Sequence, residues 1–318
     1  MKIIQKSLNR GHLFSLFNMD SLVIGDSLVF DLFIKRENDY VIVIEAGTVL
    51  SAELSEKLQK QDKLYIAKED VAKQILTCET LQSYINHNLN NLEKTLGFLY
   101  KVNSDIFTDY INSDENKISI ECVESIVKSI IFLTQNNQGY LKNIIPYFDN
   151  KYELFIHSLH VCIYAVNLGH ALEMDSKKLL QLGIAALIHD LGMKKIDDSI
   201  RSKEDQLSLS EYELIYKHPR YSAQIARQNH VTDPLIIDAI THHHENYDGS
   251  GYPDCLSADD ISDLASILSI SDVFNAMTNS RPHRKAYTSF EALKVMMKDN
   301  NIANKFNQKY VQIFLRML

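Results

Sequence analysis

The sequence predicts a mainly α protein, an all-helical domain with a small mixed α/β domain at its N-terminal end. Three observations carry that prediction. The clearest β-type runs, LVFDLFI (centred on 29–34) and VIVIEAG (41–47), both fall within the first 75 residues. From about residue 72 onward the apolar residues recur at spacings of three and four, the period of one helix face. Helix-start signals then punctuate that later part, among them Ser208 followed by Glu211 and Pro234 after an aspartate.

Residues 1–75 read as the mixed domain. The two β-type runs flank the turn-like RENDY, which suggests a hairpin. SAELSEKLQKQ then has helical character and KLYIA (63–67) reads as a further short strand. Nothing here has the pattern of a catalytic site, so a regulatory or docking role toward a protein partner is expected. Residues 76–116 read as a helical connector. Ile85, Leu89, Leu92, Leu96 and Leu99 form a heptad-like seam of barely two heptads. A homodimer through helices near 81–99 is one reading, and packing on the chain's own domain is the preferred one. NSDENK (112–117) is a polar break, and 117–318 is expected to form the all-α domain.

Composition sets bounds on function. Of 318 residues 45% are hydrophobic and 23% charged, with a net charge of −8, and neither half of the chain is basic. Binding to long nucleic acid by neutralising phosphates is therefore disfavoured, whereas a small anionic ligand needs only a local positive cluster. No uninterrupted apolar run reaches the roughly 18 residues of a membrane span. The N-terminus lacks the apolar core of a secretory signal, so a cytoplasmic location is expected. Cys78, Cys122, Cys162 and Cys255 form no CxxC pair and read as reduced thiols.

The chemistry lies in the placement of histidines and acids. In YELFIHSLH, Glu153 and His157 are four apart and share one helix face. In LLQLGIAALIHDLG an apolar helix runs into His189-Asp190, with Gly192 expected as its C-terminal cap. SLSEYELIYKHPR starts a helix at the Ser208–Glu211 capping box and is expected to end it at His218. In DPLIIDAITHHHE, His243 aligns with Ile236 and Ile240, and His244 with Ile237 and Ile240, while His242 falls on the shoulder. Asp272 lies inside the apolar DLASILSISDVFNAM. Any one of these alone is most simply a hydrogen-bonded core residue. Five histidines and three carboxylates directed inward from five helices point to metal. Imidazole and carboxylate without thiolate suits iron, manganese or zinc, and eight ligands exceed one ion's needs.

These residues resemble the HD-GYP family, a branch of the HD superfamily of metal-dependent phosphohydrolases. HD is His189-Asp190 and GYP is Gly251-Tyr252-Pro253, with the His157-Ser158, KHP (217–219), SDVFNAMT (271–278) and RPHRKAY (281–287) elements alongside. The resemblance spans about 117–318 and implies an HD-type helical domain. By position it implies metal ligation by His157, His189, Asp190, His218, His243, His244 and Asp272, with Asp190 bridging two ions. Glu153 matches the extra acidic ligand of trinuclear members, so two or three divalent ions, iron or manganese, are expected. Arg281 and Arg284 match phosphate contacts, and Tyr252 and Lys194 are further expected substrate contacts. The implied activity is hydrolysis of cyclic di-GMP to pGpG, and in some members to GMP, by a metal-bridging hydroxide with His189 and Asp190 at its centre.

Two departures bear on that activity. The family's HDxGK reads HDLGMKK, which places Met193 at the usual lysine and leaves Lys194 as its stand-in. RPYR reads RPHR, with His283 in the aromatic position. A non-catalytic sensor of the same fold and a hydrolase of another nucleotide are the competing readings. Around the triple histidine, Glu245 is expected to orient the ligand pair, Gly249 and Gly251 to permit tight turns, and Tyr252 to offer a stackable ring.

Overall fold

The computed structural model describes residues 14–17, 27–28, 30–36, 39–61, 63–67, 81, 84–85, 88–89, 91–137, 139–148, 154–201, 203, 205–279, 286–299 and 301–318. The chain divides into two compact units, Met1–Asn90 and Asn91–Leu318.

Among the described residues of the first unit are a four-stranded antiparallel sheet and a helix. Its strands are β1 (Phe14–Leu16), β2 (Leu32–Arg36), β3 (Asp39–Ile44) and β4 (Tyr65–Ala67), in the order β1-β4-β2-β3. The expected hairpin is β2–β3, with Ile34 opposite Val41 and a register shift at Leu32/Phe33. β2 begins later than LVFDLFI suggested. Asp31, just before it, is committed elsewhere, because its Oδ1 accepts the Ala46 N–H at 2.7 Å. Helix α1 (Ala52–Gln59) starts at Ser51, whose hydroxyl accepts the Leu54 N–H at 3.1 Å. Alternation along the strands builds two apolar faces. Leu32, Ile44, Leu64 and Ile66 pack on one, and Phe14, Phe33 and Tyr40 on the other, where Phe14 stacks on Tyr40 at 4.1 Å.

The second unit is helical throughout its described residues. It runs α2 (Leu92–Asn112), α3 (Ile120–Asn136), α4 (Tyr140–Ile144), α5 (Leu154–Ala171), α6 (Ser176–Ile188), α7 (Asp198–Arg201), α8 (Leu209–Ile215), α9 (His218–Gln228), α10 (Pro234–His242), α11 (Asp263–Thr278), α12 (Ser289–Lys298) and α13 (Gln308–Met317). The polar NSDENK separates α2 from α3, as its composition suggests. At NIIPYF, α4 tightens into a 3₁₀ turn at Ile145–Tyr147, where Pro146 cannot donate a backbone bond. The seam leucines Leu96 and Leu99 are buried within this unit, in which α2 packs on α3, α4 and α5.

Helix α5 is the axis of the unit and touches α2, α3, α6, α11 and α13. It is long and apolar enough to cross a membrane by length and composition, and most of it is buried here among the other helices. A helix apolar on all sides fits that central place. Cys122 and Cys162 are buried thiols, Cys255 is an exposed one, and Cys78 lies outside the described residues.

Candidate metal centre

Helix ends, more than helix faces, assemble the site. His157 and Asp272 lie within α5 and α11. His189 is the cap residue of α6 and Asp190 opens a 3₁₀ turn, Leu191–Lys195. His218 does not end the capping-box helix as expected. That helix, α8, stops at Ile215, and His218 is the first residue of α9, with Pro219 in the first turn where a missing N–H costs nothing. α10 likewise ends at His242, so His243 and His244 come just past it.

Gly192 has a different role from the expected cap. It sits inside the 3₁₀ turn, where a Cβ would stand 2.2 Å from the His218 carbonyl oxygen and 2.6 Å from the Ser222 nitrogen. Its N–H donates to Ser222 Oγ at 2.8 Å. The absent side chain therefore lets the His189-Asp190 turn lie directly on the start of α9, which brings His218 to Asp190.

Asp190 is the hub. Its Oδ1 lies 3.1 Å from His218 Nε2 and 3.9 Å from His243 Nε2. Its Oδ2 lies 3.5 Å from His189 Nε2 and 3.8 Å from His157 Nε2. Asp272 reaches His157 Nε2 with Oδ1 at 3.1 Å and extends Oδ2 to 4.0 Å from His244 Nδ1. Ligand atoms of His218, His243 and His244 form one close group and those of His157, His189 and Asp272 a second, each within 4.8 Å.

The outer hydrogen bonds test whether this set fits a metal. Nδ1 of His189, His218 and His243 each lies 2.7 Å from a backbone carbonyl, those of Ala186, Ile215 and Ile240. His157 Nδ1 lies 2.7 Å from Asn275 Oδ1. An oxygen acceptor there requires the proton on Nδ1 and leaves Nε2 as a bare lone pair. Four such nitrogens converge, and those of His218 and His243 stand 3.4 Å apart. His189 Nε2 is buried with no hydrogen-bond partner. Facing lone pairs in a buried setting repel unless a cation lies between them, so the residues fit metal ions.

The electrostatics have the same character. Burial holds His243 well below the ordinary imidazole range, with its histidine neighbours adding to the effect. Burial also brings His244 down to about 4. Burial opposes charge on His157 and His218 as well, but their bonds to Asp272 and Asp190 outweigh it and raise both. Burial pushes Asp190 and Asp272 up, and the surrounding histidines more than reverse this, so both carboxylates stay ionised.

The triple histidine resolves as its register indicates. His242 points to the shoulder, with Nδ1 2.8 Å from Asp238 and Nε2 3.1 Å from Asp254. Glu245 turns toward the following loop and not toward the ligand pair. Its buried carboxylate accepts the N–H groups of Asp254 at 2.6 Å and Leu256 at 3.1 Å and so ties off the GYP loop. Within the loop Gly249 has φ of +79°, and a Cβ on Gly251 would stand 2.3 Å from the Asn246 nitrogen. Both positions demand glycine.

Other expected residues have distinct fates. Glu153, Arg281, His283 and Arg284 lie outside the described residues. The Lys194 ammonium donates to the carbonyls of Tyr110 at 2.8 Å and Ser113 at 2.5 Å, closing the end of α2, so contact with substrate would require breaking both bonds. Met193 is half-buried in the same turn. Tyr252 stacks on His244 at 4.9 Å and on Tyr216 at 4.2 Å.

Two residues escaped the sequence reading. Asn275 accepts from His157 and from Asn279 Nδ2 at 3.0 Å, and its own amide donates to His160 Nδ1 at 3.3 Å. His160 is buried, stacks on Phe148 at 4.0 Å and bonds to the Tyr100 hydroxyl through Nε2. Burial lowers His160 to about 3, so it is neutral. The signal was present in both cases, since Asn275 is three residues from Asp272 and His160 three from His157.

Comparison with known proteins agrees with this geometry. Residues 139–305 match the family model described as HD domain. A cyclic di-GMP phosphodiesterase of Pseudomonas aeruginosa is 34% identical over 146 residues, 46% of this chain and 35% of that protein. The cyclic di-GMP phosphodiesterase response regulator RpfG of Xanthomonas campestris is 34% identical over 157 residues, 48% of this chain and 40% of that protein. A 3'3'-cGAMP-specific phosphodiesterase of Vibrio cholerae is 29% identical over 160 residues, 50% of this chain and 30% of that protein. The matched segments thus span less than half of these curated relatives. An HDG"Y"P protein from Bdellovibrio bacteriovorus shares the fold, with a TM-score of 0.62 at 18% identity over 96% of this chain and 99% of that one.

Proposed function

The chain belongs to the HD domain family, and from that premise we propose that it is a metal-dependent phosphodiesterase of the HD-GYP branch that hydrolyses cyclic di-GMP to linear pGpG, with GMP as the product of any second cleavage. The observation that carries the reading is Asp190, which turns one carboxylate oxygen to each of two ligand groups. A carboxylate so placed could serve two ions at once.

In this reading His218, His243 and His244 hold one ion, His157, His189 and Asp272 the other, and Asp190 both. A third ion would take Glu153. Nitrogen and oxygen donors without thiolate favour iron or manganese. Ions bound there would lower the pKa of a water toward neutrality and neutralise a phosphodiester. The chain's own part is orientation. The Nδ1 protons of four histidines are fixed on oxygen acceptors, which holds each Nε2 in place before substrate arrives. Asp190 and Asp272 remain ionised and offset the ions' charge. The GYP loop, tied by Glu245 and backed by the Tyr252 ring on His244, closes one side of the cluster. Arg281 and Arg284 are the proposed contacts to phosphate.

Purified protein loaded anaerobically with iron or manganese is expected to convert cyclic di-GMP to pGpG, read by chromatography of the products. Absence of turnover with either metal overturns the proposal. Relatives named for 3'3'-cGAMP favour a second substrate, so the same assay run with 3'3'-cGAMP and cyclic di-AMP ranks the cyclic dinucleotides. Met193 at the usual lysine and the engagement of Lys194 by α2 favour a sensor. Tight binding of cyclic di-GMP without product would decide for that reading.

A further inference from the structure

A row of aromatic rings leads outward from the metal ligands. His244 stacks on Tyr252, with centroids 4.9 Å apart and planes 27° from parallel. Tyr252 stacks on Tyr216, at 4.2 Å and 24°. Tyr216 ends at Tyr212, which lies 6.0 Å away and tilted by 38°, too far and too steep for face contact. Tyr252 therefore carries a ring against each face and cannot take a third. Its neighbour Tyr216 is 43% exposed, as is Tyr212.

The location gives that exposure meaning. Single exposed apolar residues are ordinary. Here Tyr212, Leu214 and Tyr216 are all exposed on or beside the short helix α8, whose end leads within three residues to the ligand His218. Tyr212 and Tyr216 are four apart and share one face there, so two exposed rings stand beside the candidate metal site and suit a flat ligand. Their occupant must present a flat π-face while an anionic group reaches the ions. A nucleotide does both, because its ribose holds base and phosphate a short distance apart.

We propose that Tyr216 is the surface on which a base of the substrate stacks, with Tyr252 as the fixed spacer that carries the stack from His244 outward. The inference rests on the cyclic dinucleotide reading above. Tyr216 sits at the cap of α8, held by its N–H bond to the Tyr212 carbonyl at 2.9 Å. Its ring is held on one face by the stack on Tyr252. A tyrosine face offers stacking without reading base edges, so this surface accepts guanine and adenine alike. Discrimination between purines belongs to other residues.

The test compares binding and turnover in the whole 318-residue chain loaded with manganese. Equilibrium dialysis measures binding of GMP and of hydrolysis-resistant phosphorothioate analogues of cyclic di-GMP and cyclic di-AMP. Hydrolysis of methyl p-nitrophenyl phosphate, which has no base and whose aryl group is the leaving group, reports the metal centre. Tyr216→Ala is expected to weaken binding of both cyclic dinucleotides by about fivefold to a hundredfold, the range found for loss of one stacked base. That loss should exceed its effect on the baseless diester, and Tyr216→Phe should bind as wild type does. Metal content of each variant shows that the centre has formed.

Equal binding by wild type and Tyr216→Ala overturns the proposal, as does equal loss for dinucleotide and baseless diester. If wild type binds no cyclic dinucleotide, the proposed function fails and GMP decides the stacking claim by itself. GMP binding that depends on Tyr216 sustains it, and GMP binding that is absent or indifferent to Tyr216 ends it.

Discussion

The two ligand groups flanking Asp190 use different materials. On one side stand His218, His243 and His244, all imidazole. On the other, His157 and His189 are joined by the Asp272 carboxylate. Each side receives one oxygen of Asp190. Two neighbouring divalent ions would thus meet unequal negative charge, with more compensation beside Asp272. The imidazole side is left with more positive charge to attract a phosphodiester, and it is the side next to Tyr252 and Tyr216. One carboxylate makes a pair of sites, and a second makes them unequal.

The comparison fails or sharpens under substitution, beginning with the residue both sides share. Asp190→Ala should remove both ions and reduce phosphodiester hydrolysis at least about a thousandfold, beyond the loss from a single transition-state donor. Metal analysis showing one ion still bound would contradict the shared role.

The next effect separates the sides. Asp272→Asn is expected to weaken the carboxylate-rich site more than His244→Ala weakens the imidazole site. Stepwise chelation should show about one ion lost early in each variant, and earlier with Asp272→Asn. Reversal of that order would remove the asymmetry.

A smaller change acts from outside the ligands. Asn275→Ala removes the acceptor for His157 Nδ1. Loss of such a partner costs about tenfold to a hundredfold in metal affinity. The loss should be confined to the ion on the Asp272 side, whereas an equal loss from both sides would indicate general loosening of α11.

The smallest effect belongs to His242→Ala, which should retain all its metal. His242 is raised above its ordinary value by its bond to Asp238, with Asp254 adding. A raised imidazole contributes stability that is complete below the unfolded value of about 6.5 and lost as pH rises through the folded value. The variant should therefore lose more stability near pH 6 than near pH 9. Because its partners Asp238 and Asp254 are 34% and 41% exposed, the difference should stay within about 1 kcal/mol. Denaturant titrations at the two pH values measure it.

Legibility in the sequence followed local physics. His157 and Asp272 could be read because each interrupts an apolar helix, and His189-Asp190 because they follow AALI. The grouping of His243 and His244 apart from His242 came from counting register, and the side chains divide that way although the helix stops at His242. Placement of His218 at the wrong helix end had a simple cause. KHP can close one helix or open the next, and only the contact of Gly192 with α9 decides between them. β1 is three residues long, too short for periodicity to register. Asn275 and His160 are polar residues on buried faces, whose purpose depends on partners brought from distant parts of the chain. The aromatic row had no linear signal, because Tyr216 and Tyr252 are far apart in sequence and meet only when α8 and the GYP loop pack.

The loop tied by Glu245 has a consequence for solvent exchange. The amides of Asp254 and Leu256 donate to one carboxylate on a residue only 2% exposed. Opening the loop must release both at once and strip that carboxylate of its donors. The two amides should exchange with deuterium together and slowly, as one cooperative unit, while the Asp248–Gly249 tip exchanges sooner. Metal removal should leave this pair protected, whereas Glu245→Gln should release it. The clock for the loop is then Glu245, a residue that need touch neither ion nor substrate.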